Sequence, residues 1–155
     1  MKGTLRAALR GTAIAGTLDI VYAIVFYGLR GVPAMRILQS VASGLLGAPA
    51  YRGGWPTALL GLVLHFAIMF VVAALFVAAH RRLAPLRQHA VAAGAVYGLV
   101  VYGVMNYIVL PLSAFAQRGT PPTLVIALGV LVHVVLVGIP IALCARHCAK
   151  HKATP

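Results

Sequence analysis

Acidic residues are almost missing from this chain. Its 155 residues hold one Asp, Asp19, no Glu, and thirteen Lys or Arg. With a single carboxylate, two-carboxylate chemistry of the glycosidase kind is excluded. Charged residues of either sign make up only 9% of the sequence, and 62% is hydrophobic. A soluble domain of this length carries about 25% charged and about 45–50% apolar residues, so a water-soluble fold is excluded too. Cysteine is scarce. Cys144 and Cys148 lie four apart, a poor disulfide span and no framework for a secreted scaffold. No Gly-x-Ser-x-Gly, phosphate loop or His-Glu-x-x-His is present, so no enzyme class is indicated.

What the chain has instead is long apolar runs. Four are long enough to cross a bilayer, at about Ala7 to Leu29, Thr57 to Ala79, Ala90 to Leu110 and Thr123 to Ala145. The fold class expected is all-α, one integral membrane domain built as a four-transmembrane-helix bundle. Lys2 and Arg6 before the first run resemble a signal peptide. The run is too long for one, however, contains Asp19 and lacks a small-x-small cleavage site, so it reads as a retained span. Pro111 closes the third span, and Pro140 predicts a kink in the fourth. Between spans one and two, residues 33–47 are too short to cross. Ile37, Leu38, Val41, Leu45 and Leu46 share one side, and Arg36, Gln39, Ser40 and Ser43 the other. That pattern predicts an amphipathic helix in the membrane interface, with a packing helix between spans as the alternative.

The formal charge of +12 is spread between the apolar runs. This argues against nucleic acid and for anionic lipid headgroups as partners. Nine Lys or Arg fall on the side of the termini: Lys2, Arg6, Arg10, Arg81, Arg82, Arg87, Arg146, Lys150 and Lys152. Four fall on the other: Arg30, Arg36, Arg52 and Arg118. The positive-inside rule then places both termini in the cytoplasm.

Each span carries one strongly polar side chain: Asp19, His65, Asn106 and His133. At 1.5 Å rise per residue, Asp19, His65 and His133 lie roughly 15, 12 and 16 Å below the outer face, and Asn106 lies nearer to it. Ionisable groups at mid-membrane depth usually face the bundle interior and mark a pathway. The four form a candidate proton or small-solute route. Hydrogen-bonded glue between helices is the plain alternative. Two histidines and an aspartate also make a metal-ligand set, and two histidines on separate helices could ligate haem. Neither cofactor is needed for the leading reading. Gly61 and Gly129 stand one turn before His65 and His133, which leaves room for a flat group or for a neighbouring helix. The matched Gly-x-x-x-His segments also hint at a duplicated helical pair. Cys144, Cys148 and His151 form a weaker metal candidate at the C-terminal end, and Gly94 with Gly98 form a GxxxG face, for a second copy or for packing within the chain.

These residues carry a resemblance. Gly16-Thr-Leu-Asp19 with Tyr22, the run from Arg36 to Gly47, and Met105-Asn106 with Val109-Leu-Pro-Leu-Ser113 look like a group of small uncharacterised bacterial inner-membrane proteins. More loosely, the second half resembles the YagU-type membrane proteins linked to acid resistance. The shared features are a His in one span, a span ending in proline, Thr120-Pro121-Pro122, and a last span with Gly then His. The first resemblance implies a bacterial inner-membrane location. The second implies a role in membrane stress or acid tolerance. A structural subunit of a larger membrane complex is the remaining alternative.

Overall fold

A computed structural model describes residues 2–115, 119 and 121–150. Helix is the only regular structure among them. Five helices define the architecture. Helix α1 covers Lys2–Gly28, α2 covers Ala34–Leu46 and α3 covers Gly54–Arg82. Helix α4 runs over Ala90–Leu112. Helix α5 joins Thr123–Val132, a π-helical stretch His133–Gly138, and Ile139–Lys150. Four of these, all but α2, are long and apolar enough to span a membrane. The chain is a multi-pass membrane protein with a four-helix bundle.

The outside of the bundle shows why. Val21 and Val25 on α1, Val63, Val71 and Leu75 on α3, Val96 on α4 and Leu131 on α5 are all at least half exposed. Such a girdle would aggregate in water, and in a bilayer it meets acyl chains. The interior is built from small side chains. Ala7, Ala15, Ala73, Ala142 and Ala145 are buried with Phe76, Val137 and Ile141 as the bulky fillers. Lipid tails are as apolar as leucine, so membrane helices associate mainly by close packing, which small residues permit.

In the bundle, α3 packs on α1, α1 on α5, and α5 on α4. The α4–α5 contact is close along its length. A side chain at Gly138 would strike the carbonyl oxygen of Gly94 at 2.0 Å, and one at Gly98 would strike that of His133 at 2.2 Å. The GxxxG face is therefore filled within the chain. Gly94 and Gly98 are buried against α5.

Two prolines leave their mark as π turns. Pro111 does not end the third span, as its position predicts. Helix α4 continues to Leu112 because the preceding stretch Met105–Val109 widens, with Leu110 N–H bonded to Met105 O five residues back. At Pro140 the expected kink takes the same form, with Ile139 N–H bonded to Val134 O. A proline ring crowds the carbonyl four residues earlier and offers no N–H. A widened turn just before it relieves both.

Helix α2 differs from its expected setting. Pro33 is its N-cap residue, and Gly47, at φ 65°, terminates it. It lies against α3 so closely that a side chain at Gly61 would meet Leu38 O at 1.9 Å. Gln39 and Ser43, expected on the solvent side, are buried, whereas Leu45 and Leu46 are exposed. Gln39 Nε2 donates to Gly54 O at 3.1 Å and Thr57 Oγ1 at 3.3 Å. These bonds satisfy a polar group that would otherwise oppose burial. The far end of α2 is tied to α4, where Ala114 N–H donates to Gly44 O at 2.9 Å.

Candidate functional site

The packing leaves a cavity of about 180 Å³ at mid-bundle. Its polar lining is Asp19 from α1, His65 from α3 and His133 from α5. The rest is apolar, including Val41 of α2, Met69 and Val72 of α3, and Met105 of α4. Three of the four polar residues expected at this depth thus reach one space. Asn106 does not. Its Nδ2 donates to Tyr102 O at 2.9 Å, within its own helix, and the side chain is absent from the cavity lining.

Each histidine is held by one ring nitrogen. His65 is 8% exposed, and its Nε2 lies 2.9 Å from Gly16 O on α1. His133 Nδ1 lies 2.9 Å from Gly129 O, one turn back on α5. A carbonyl only accepts, so these nitrogens carry the protons and the tautomers follow: Nε2–H in His65 and Nδ1–H in His133. The second nitrogen of each neutral ring is then an acceptor. Each ring can take up a proton there without giving up its anchor. Aromatic neighbours fix the planes. His65 meets Phe66 edge-on at 5.2 Å, and His133 meets Tyr102 edge-on at 5.3 Å.

Asp19 is half-buried three residues along α1 from Gly16. It shares the cavity with both histidines, yet the acceptor that ties His65 to α1 is the Gly16 carbonyl. The bond from His65 thus ties α3 to the α1 main chain, while that from His133 stays within α5.

Beside the cavity, Tyr97 Oη of α4 donates to the Val72 carbonyl of α3 at 2.7 Å, and its ring lies 5.0 Å from Phe76. Helix α2 contributes Val41 to the lining.

The cofactor readings fare poorly on geometry. Among the described residues no three His, Cys, Asp or Glu side chains stand close enough to hold a metal ion. The carbonyl-bonded tautomers would suit ligand histidines, but one ring is anchored to α1 and the other within α5. The space before each histidine is also taken. The α2 backbone fills it at Gly61, and the Tyr102 ring fills it at Gly129, 2.9 Å from where a side chain would begin. No slot for a porphyrin remains there. In the C-terminal candidate, Cys144 and Cys148 are free thiols, and His151 lies outside the described residues.

Sequence reasoning missed Val41, Met105, Tyr102 and the Gly16 carbonyl. The signal for Gly16 was its place one turn before Asp19. For Tyr102 it was the spacing of four from Asn106. Val41 had no signal, because its arrival depends on how α2 docks. Comparison with protein families, with curated proteins and with solved structures found no match.

Proposed function

We propose that this chain is a non-enzymatic bacterial inner-membrane protein that moves or senses protons, or a small solute coupled to them, with its termini in the cytoplasm. The observation behind this reading is the shared cavity. The only acid in the chain and two histidines, from three different spans, line one space whose other walls are apolar. An ionisable group costs roughly 2.5–3.5 kcal/mol at mid-membrane on insertion scales. Three of them gathered in one small space are a proton-exchange set. Each ring keeps an acceptor nitrogen while its other nitrogen stays bonded to the backbone.

The test is proton flux into proteoliposomes, followed with a trapped pH-sensitive dye under an imposed gradient. Asp19→Asn and His65→Ala are expected to abolish the flux while inserting normally. Gly103→Ala should keep it, since nothing lies within 4 Å of that position. Wild-type flux in both cavity variants would overturn the reading.

A further inference from the structure

A second cleft opens where the chain termini meet. Helices α1 and α5 lie side by side there, and an open groove of about 530 Å³ runs between their outer faces. Arg10 and Ile14 line it from α1, and Leu143 and Arg146 from α5, with Cys148 beside them.

Direction orders these residues by depth. Helix α1 runs inward from its terminus and α5 runs outward to its own. Ile14 therefore sits one turn deeper than Arg10, and Leu143 about one turn deeper than Arg146. The rim is cationic and the inner wall is apolar on both helices. Ile14 and Leu143 are 48% and 43% exposed, so the apolar wall is open to the membrane.

Among the described residues no acidic side chain lines this groove. Arg10 Nη1 meets the Cys148 thiol, at 3.9 Å, a weak acceptor. Asp19 is the one carboxylate side chain in the sequence. It lines the central cavity, nine residues or roughly 13 Å further along α1. Arg10 and Arg146 are exposed and open to an anion from outside the chain. Guanidinium groups suit phosphate because their fork of N–H donors matches two oxygens at once.

We infer that this groove is a binding site for an anionic phospholipid. The phosphate diester sits between Arg10 and Arg146, and an acyl chain lies inward over Ile14 and Leu143. A free phosphate would use the rim alone and leave the apolar wall without purpose. This inference is independent of the proton-handling reading, since no residue is shared between the two sites.

Native mass spectrometry of the full chain in zwitterionic micelles tests it, with phosphatidylglycerol or phosphatidylcholine titrated in. The wild type should retain phosphatidylglycerol preferentially, and inorganic phosphate at equal concentration should not displace it. Arg10→Gln with Arg146→Gln should weaken retention roughly thirtyfold, the sum expected for two basic residues at a lipid surface. Arg82→Gln with Arg87→Gln, at the same end but outside the groove, should leave it unchanged. Arg10→Lys with Arg146→Lys keeps the charge and should keep most of the preference, which guards against a glutamine pair that fails to fold. Equal retention of the two lipids, displacement by phosphate, or undiminished retention in the folded glutamine variant would each overturn the assignment.

Discussion

Asp19 and the two histidines owe their meaning to different neighbours. His65 bonds across to α1, and His133 bonds back within α5, although the two sit in matched Gly-x-x-x-His segments. If the segments arose by duplication, the glycines have since taken separate tasks: Gly61 admits a helix backbone and Gly129 admits a ring. The most exacting glycine is Gly138. Its missing side chain is what lets α5 touch α4, with the Gly94 oxygen, Gly98 N and Gly98 Cα all within 3 Å of the site a Cβ would occupy. Backbone cannot yield as a flexible side chain can. Gly138→Ala should destabilise the bundle by about 1–3 kcal/mol, the usual cost of overpacking, measured by denaturant titration in micelles. Gly103→Ala should be neutral or slightly stabilising, because helix propensity improves and no neighbour is met. Equal stability of the two variants would contradict the packing described.

At the scale of elements, α2 is the unusual piece. It is too short to span, yet it buries Gln39 and Ser43 and lends Val41 to the cavity. Its hold on α3 rests on backbone proximity at Gly61 and on the Gln39 bonds to Gly54 and Thr57. Losing a buried hydrogen-bonded side chain costs about 1–3 kcal/mol. Gln39→Ala should therefore loosen α2 locally and open the cavity. A cysteine placed by Val41→Cys, with Cys144 and Cys148 changed to Ser, should react faster with a membrane-impermeant thiol reagent in the Gln39→Ala background. Unchanged labelling would show that α2 is held by other contacts. The π turns are the other elemental device. Asn106 lies within one and His133 opens the other, so both prolines help to set where polar side chains emerge.

For the whole molecule, four spans place both termini and the 83–89 connector at one end. The Arg81 guanidinium bonds to Thr4 Oγ1, and Arg10 reaches Cys148, so α1, α3 and α5 meet there. Topology reporters fused at the N-terminus, the C-terminus and Gln88 should all report the same compartment. Reporters on opposite faces at the two termini would be incompatible with the bundle. The exposed apolar girdle also predicts that alkaline carbonate leaves the protein in the membrane pellet and that only detergent releases it.

The number of spans and their rough limits were legible in the sequence, because a bilayer imposes a length and a polarity that composition alone reveals. So was the isolation of Asp19, which follows from counting acids. Contact between residues far apart in the chain was not legible. That Asp19, His65 and His133 share a cavity while Asn106 turns back to its own helix depends on helix rotation. Rotation is set by which small residues meet: Gly138 against Gly94 and Gly98, and Gly61 against Leu38. The amphipathic reading of α2 held for Ile37, which is buried, and Arg36, which is exposed, but not for Gln39 and Ser43, which turn inward. Their partners, Gly54 and Thr57, come from a different segment. Periodicity finds the two faces of a helix, but in a membrane protein either face can be the buried one, since lipid accepts leucine as readily as a protein core does.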